Sequence, residues 1–441
     1  MIQSFVDDSR PVEALHCYHH MLSVGRLPNN YTFSFLLRAC SALRASSDGQ
    51  KLHTHIIRLG WDSHHFVQNG LIHLYVTCDR VHSARKLFDA SLSRDVITWT
   101  AMVNGYVKSG DIEAARALFD AMPEKNQVSW SAIINGCAKL GLFEEALHRF
   151  IAMQLSGFRP NHAGLVGALT ACASLGALDQ GRWIHAYIDR NAIVHDRVLG
   201  TSLIDMYAKC GCIDAAVQIF DAMPARDVFA WTALISGLSN HGRASDALEL
   251  YRRMRREGVA PNGVTFVCAL SACARMGLVD EGRRIFDGIA APGVQHYGCL
   301  VDLLGRAGLI EEAREVVLSM PMEPDSYVLG ALLNACGVHG EVDVGEETVR
   351  RLAERRLDHD GVRVLMSNMY ASAERWDEVA KVREEMEAER VKKVPGYSSI
   401  EMDGFVCEFV AGDRSHPLRE EIMSMSVLVD KQMRLFYDDI I

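Results

Sequence analysis

Three tryptophans constrain this 441-residue chain more than any other feature: Trp99, Trp130 and Trp231 are separated by steps of 31 and 101 residues. Phe88, Phe119 and Phe220 repeat both steps, inside the runs Leu87-Phe88-Asp89-Ala90, Leu118-Phe119-Asp120-Ala121 and Ile219-Phe220-Asp221-Ala222. A unit of 31 residues fills the first step; one of 31 and two of 35 fill the second. Two independent markers on one mixed period specify a repeat array rather than a globular enzyme. Periods of this size belong to helix-pair solenoids, whose units bury their apolar faces only against their neighbours.

With the register set by the tryptophans, the repeats run 30–64, 65–95, 96–126, 127–161, 162–196, 197–227, 228–262, 263–293 and 294–325. Within 96–126, Trp99, Met102, Val103 and Tyr106 keep the i, i+3, i+4, i+7 spacing of an amphipathic helix. Gly110 breaks that helix and Asp111 caps a second, Ile112 to Phe119, with Ala114, Ala115 and Leu118 facing inward. Met122-Pro123, Met223-Pro224 and Met320-Pro321 close their units, because proline cannot continue a helix.

Nine of the twelve cysteines fall on the same register. Cys40, Cys137, Cys172, Cys273 and Cys336 occupy the eleventh position, Cys78 and Cys210 the fourteenth, and Cys268 and Cys299 the sixth. They read as core residues, small enough to let helices approach. No C-x-x-C occurs, so zinc-site spacing is missing, and Cys210-Gly211-Cys212 reads as a helix end and turn. The histidines, including the dense group His53, His55, His64, His65 and His73, form no recognisable catalytic set. Neither a metal nor a cofactor is expected. No run approaches the roughly 18 apolar residues of a membrane span. The best candidate, Val166 to Leu178, is interrupted by Thr170, Ser174 and two glycines. The start, with Asp7, Asp8 and Arg10, has no secretory pattern.

The unit resembles the pentatricopeptide repeat, in the plant subclass that alternates standard, long and short forms. Short units end in M-P-x-x-D or a close variant, as in Met223-Pro224-Ala225-Arg226-Asp227. Standard units end in G-x-x-P-N, as in Gly157-Phe158-Arg159-Pro160-Asn161 and Gly258-Val259-Ala260-Pro261-Asn262. Long units carry A-C and a later G-x-x-x-H, as in Ala171-Cys172 and Gly181-Arg182-Trp183-Ile184-His185. The resemblance implies an all-α, right-handed solenoid of helix-turn-helix repeats. Residues 1–29 form a partial first repeat, and 30–325 the array. Residues 326–393 look like the two degenerate repeats of the family's E region, and 394–441 like the tail that follows it. That tail carries Pro395-Gly396-Tyr397-Ser398-Ser399-Ile400-Glu401, Glu408 to Asp413 and Ser415-His416-Pro417. Ser399 stands where the family usually has tryptophan. The unit 263–293 is shortened, with Ala290-Ala291-Pro292-Gly293 bridging to the next helix.

Such repeats are among the modules that read one base per helical repeat through two or three side chains. By resemblance, the fifth and last residues of standard and short repeats do the reading. Here they are Asn69 with Asp95, Thr100 with Asn126, Ser131 with Asn161, Thr201 with Asp227, and Thr232 with Asn262. All ten are small hydrogen-bonding side chains. Ionised Asp only accepts, which suits the N–H donors of guanine or uracil, whereas Asn offers donor and acceptor and matches adenine. A short Thr or Ser at the fifth position leaves room for a purine, and a longer Asn reaches a pyrimidine. The implied order is uracil-like, adenine, adenine, a gap, guanine, adenine. The gap falls on 162–196, whose fifth residue is Val166. The plain alternative is that these polar residues merely line a solvated face.

Net charge is −10, unevenly spread: residues 1–325 hold 33 acidic and 31 basic residues, and 326–441 hold 23 and 15. A nearly neutral array favours base-edge reading over bulk phosphate binding, and the acidic tail suits a protein-docking surface. Longer relatives end in a cytidine-deaminase-like domain, which needs H-x-E and a later C-x-x-C. This chain has His339-Gly340-Glu341 in the turn of the first degenerate repeat, but Cys407 is the only cysteine after it. An enzyme is therefore not expected.

The resemblance implies an organellar factor, mitochondrial or plastid, that binds single-stranded RNA upstream of a cytidine edited to uridine. A deaminase-bearing partner would be recruited through the E region, without a membrane. A splicing or stability factor and a protein–protein scaffold are the alternatives. Counting back from Asn29 puts Met1 at a seventh position, equivalent to Met102, Ile133 and Leu234, which suggests further repeats and a transit peptide upstream.

Overall fold

The computed structural model describes residues 1–91, 94–354, 360–388, 397–402, 405–410 and 418–438. The chain divides into two compact units, Met1–Arg226 and Asp227–Ile441. Pro395, Gly396, Ala411 to Asp413 and Ser415 to Pro417, all part of the expected tail pattern, lie outside the described residues.

In the first unit, Ile2–Asp7 and Pro11–Ser23 precede a run of helical hairpins. These pair Asn30–Leu43 with Ser46–Arg58, His65–Thr77 with Val81–Ala90, and Val96–Ser109 with Ile112–Ala121. Gln127–Lys139 pairs with Phe143–Leu155, His162–Leu175 with Leu178–Arg190, and Arg197–Lys209 with Ile213–Ala222. The second unit continues with Val228–Asn240 and Ala244–Arg256, Gly263–Met276 and Val279–Asp287, and Val294–Arg306 and Ile310–Ser319. Ser326–His339 with Val342–Glu354 and Asp360–Ser372 with Trp376–Ala388 follow.

The mixed period has a local cause. Second helices of the 31-residue units have 9 or 10 residues, as in Val279–Asp287 and Ile112–Ala121, whereas those of the 35-residue units have 13, as in Phe143–Leu155. Met122 is already extended, with φ −60° and ψ 123°, as the residue before Pro123 must be. Arg226 then seals the helix end in its own unit. Its Nε and Nη2 donate to the carbonyls of Phe220 and Asp221 at 2.8 and 2.9 Å, and its guanidinium lies 4.9 Å from the Phe220 ring centre.

Within each unit the first helices of successive repeats pack side by side. The sequence markers meet where a second helix abuts the first helix of the next repeat: Trp99 lies edge-on to Phe88, and Trp130 to Phe119, each with ring centres 4.8 Å apart. Gly136 permits the close approach of the first helices, since a Cβ in its place would come 2.5 Å from Val107 Cγ2. The second helices are joined by ion pairs one repeat apart, such as Arg149–Asp120, Arg252–Glu281 and Arg314–Glu347.

Cysteines at the eleventh and sixth positions are buried, but Cys78 and Cys210 at the fourteenth are only half-buried. Each is the C-cap of its first helix and therefore sits at a turn, not in the core. Among the inward residues expected of Ile112–Ala121, Ala115 and Leu118 are buried and Ala114 half-buried.

The tail adds an antiparallel hairpin, Tyr397–Met402 with Phe405–Val410, which the helical periodicity did not foretell. The helix Arg419–Asp438 follows. No described helix is long and apolar enough to cross a membrane.

Candidate nucleic-acid interface

Every last-position residue singled out above is the N-cap of the first helix of the next repeat. Its backbone is extended, and its side-chain oxygen accepts the N–H three residues on. Asp95 Oδ1 takes Thr98 N at 2.7 Å, Asn126 Oδ1 takes Ser129 N at 2.8 Å, and Asn161 Oδ1 takes Gly164 N at 2.9 Å. Asp227 Oδ1 takes Ala230 N at 3.0 Å, and Asn262 Oδ1 takes Thr265 N at 2.9 Å. Free amide hydrogens at a helix start need such a partner, and Asn and Asp serve almost equally.

Capping changes what these side chains can offer a ligand. In Asn161 and Asn262 Oδ1 also meets a hydroxyl, of Ser131 at 2.5 Å and of Thr265 at 2.9 Å. Both lone-pair directions are then engaged, and the group left over is the Nδ2 donor. At Asn161 and Asn262 the helix start and the hydroxyl together take the acceptor, whereas Asn126 Oδ1 accepts the Ser129 N–H. Of the two Asp caps, Asp227 uses Oδ1 alone for the helix start and leaves Oδ2, an acceptor, whereas Asp95 Oδ2 is already engaged by Asn69 and His65. Between Asn161 or Asn262 and Asp227, the Asn/Asp choice thus becomes a choice between one donor and one acceptor.

Three of the expected pairs come together across a repeat. Asn69 Nδ2 donates to Asp95 Oδ2 at 2.9 Å, and Ser131 Oγ meets Asn161 Oδ1 directly. Thr232 reaches Asn262 through Thr265, whose Oγ1 lies 2.7 Å from Thr232 Oγ1. Thr100 instead turns its hydroxyl to the Val96 carbonyl at 2.7 Å. Thr201 does the same to Arg197, also at 2.7 Å, at the end of the first compact unit, while Asp227 opens the second. Thr100, Ser131 and Thr232 are buried and Asn69, Val166 and Thr201 half-buried; all five caps are half-buried. The fifth residues therefore act chiefly through the caps and the backbone, because a hydroxyl one turn into a helix reaches the carbonyl four residues back.

Asp95 shows the local electrostatics. Burial pushes its carboxyl up, but hydrogen bonds from the Thr98 side chain and backbone and from Asn69, with the charge of His65, hold it below its ordinary value of 3.8. His65 Nε2 lies 3.0 Å from Asp95 Oδ2.

The sequence reading missed a third position. The second residue of most repeats is a large apolar side chain facing solvent: Tyr31, Phe66, Ile97, Val128, Val198, Phe229, Val264 and Tyr327 are 54–71% exposed. It precedes the fifth residue by three and so shares its helix face. The signal was present, since these residues recur on the register, but an apolar residue is ordinarily assigned to the core. Only coordinates separate an exposed apolar series from a buried one.

Residues 97–127, 128–158, 201–228, 264–290 and 296–323 match the PPR repeat, 226–275 match the PPR repeat family, and 339–401 match the E motif. Putative pentatricopeptide repeat-containing protein At5g40405 of Arabidopsis thaliana is 43% identical over 442 residues, covering 99% of this chain and 72% of the relative. Pentatricopeptide repeat-containing protein At5g66520 of the same plant is 46% identical over 429 residues, covering 96% and 69%. The chain belongs to the pentatricopeptide repeat family. Among solved structures, PPR10 in complex with an 18-nt psaJ RNA element superposes with a TM-score of 0.71 at 18% identity, covering 89% of this chain and 60% of that one. The pentatricopeptide fold is thereby shared. Further Arabidopsis relatives of this repeat protein are named chloroplastic or mitochondrial.

Proposed function

We propose that this pentatricopeptide repeat protein binds single-stranded RNA selectively in a mitochondrion or plastid. It would mark sites of C-to-U editing, with the deaminase supplied by a partner protein. The observation that carries the reading is the repeated helix start, where the caps Asn126, Asp227 and Asn262 keep a polar atom outside the capping bond beside the exposed apolar side chains Val128, Phe229 and Val264. A nucleobase needs that pair of contacts. Its faces stack on apolar or aromatic groups at about 1–3 kcal/mol per base, and its edge is told apart by a donor or an acceptor.

In this scheme the second residues hold successive bases by their faces. The caps Asp95, Asn126, Asn161, Asp227 and Asn262 probe their edges. The fifth residues Asn69, Thr100, Ser131, Thr201 and Thr232 set the caps and the room beside them. Base preferences follow as uracil-like at Asn69/Asp95, adenine at Thr100/Asn126 and Ser131/Asn161, guanine at Thr201/Asp227 and adenine at Thr232/Asn262. Val166 leaves its unit silent. The E-motif stretch and the acidic tail would dock the deaminase-bearing partner.

Selection from a random RNA library with the purified chain tests the binding step: enrichment of that base order supports it, and unselective recovery sinks it. Deleting 326–441 tests the second step. Editing should fail while RNA binding persists; a factor that only shields or splices its transcript keeps working without the tail.

A further inference from the structure

In the repeat 162–196, one side-chain cluster lies away from the helix-start series. His185 and Asp189 stand one turn apart on Leu178–Arg190, and the linker after that helix brings His195 back onto them. Asp189 Oδ2 is 3.7 Å from His185 Nε2, and Asp189 Oδ1 is 3.0 Å from His195 Nε2. One ligand atom from each of the three lies within 4.8 Å of the others. The histidines are half-buried and Asp189 is exposed, so the cluster is open to solvent on one side.

The earlier long repeat separates what is structural here from what is added. There His53, in the same register as His185, places Nδ1 2.8 Å from the Tyr75 hydroxyl. His185 Nδ1 lies 2.9 Å from the hydroxyl of the equivalent Tyr207. The His–Tyr contact is therefore part of the long-repeat architecture. The positions of Asp189 and His195 are held in the earlier repeat by Ile57 and Ser63, which cannot complete such a cluster. Two additional donors have been placed around one imidazole whose other nitrogen is already anchored.

We propose that His185, Asp189 and His195 bind a divalent transition-metal ion, with Zn²⁺ as the fitting occupant, and so clamp the linker of residues 191–196 to the helix before it. Two imidazoles and a carboxylate suit zinc, with a water completing four-coordination. Ligand atoms around a tetrahedral zinc lie about 3.3 Å apart, as its bond lengths of roughly 2.0–2.1 Å require; the 3.0 and 3.7 Å contacts run to different Asp189 oxygens and the three ligand atoms lie within 4.8 Å of one another, so the side chains would draw in around the ion. Tyr207 serves as the outer partner that orients a ligating histidine, a contact whose loss ordinarily weakens metal binding about 10–100-fold.

The test is titration of the chelator-treated full chain with Zn²⁺ by calorimetry and with Co²⁺ by visible absorption. The expected result is one equivalent bound, with the d–d bands of a tetrahedral nitrogen–oxygen site. Tyr207→Phe should weaken binding about 10–100-fold, and His195→Ala or Asp189→Asn by about 100-fold or more. Hydrogen exchange of residues 191–196 should slow with zinc in the parent chain and not in His195→Ala. Three results would each overturn the proposal: no saturable binding, unchanged affinity in both ligand variants, or a thiolate-to-cobalt charge-transfer band, which would put the ion on cysteine.

Discussion

Replacing Asn262 with aspartate exchanges a single atom at a helix start, and the structure allows its effects to be separated. Thr265 N and Thr265 Oγ1 both meet Asn262 Oδ1 at 2.9 Å, and an aspartate oxygen takes both contacts unchanged. Asn and Asp are nearly equal as N-caps, and the added charge lies at the favourable end of the helix, worth about 0.3–1 kcal/mol. Folding stability should therefore hold or rise slightly. The change falls on the outward atom, where the Nδ2 donor becomes an acceptor. Against a base edge that had accepted from Nδ2, one hydrogen bond is lost and two acceptors face each other. Such a mismatch costs about 1–3 kcal/mol, or roughly a 5–150-fold loss of affinity for the adenine-bearing RNA. An RNA with guanine at that position should gain instead. Fluorescence anisotropy with two RNAs differing in that base, beside a thermal melt, measures both quantities. An unchanged base preference at unchanged stability would refute edge reading by the cap. So would an equal loss for both RNAs.

Phe229→Ala removes an exposed ring and should leave stability within about 0.5 kcal/mol, yet weaken RNA binding by about 1–3 kcal/mol, the worth of one stacked base; full affinity retained in anisotropy would exclude stacking there. Asp95, held below its ordinary value of 3.8 in the folded chain, contributes stability above that pH and loses it as pH falls through the lowered value. Asp95→Asn should therefore flatten the acid side of the stability–pH curve below about pH 3.8, measured by urea unfolding, and leave the neutral side's slope alone. Ala192 has φ 49°, in the left-handed region that costs a non-glycine residue about 1–2 kcal/mol. Ala192→Gly should stabilise by about 0.5–1 kcal/mol after the greater freedom of the unfolded chain is set against that relief, and a lowered melting temperature would contradict the strain.

What the sequence determined by itself is what depends on local chemistry and period. The tryptophan and phenylalanine steps defined the register and Met-Pro ended the short second helices; the Asn or Asp that closes most units caps the next helix for an equally local reason, because capping needs only neighbours in the chain. The pairs Asn69/Asp95 and Ser131/Asn161 come from the family resemblance rather than from the period, and the structure brings each within hydrogen-bond distance. Tertiary structure alone decided which atoms stayed free. It buried Thr100, Ser131 and Thr232, turned Phe229 and its equivalents to solvent, and engaged both oxygens of Asp95 while leaving a polar atom on Asp227 and Asn262 outside the cap, because those outcomes depend on how neighbouring helices cover one another. It also gathered His185, Asp189 and His195, whose approach depends on the path of a linker that no periodicity encodes.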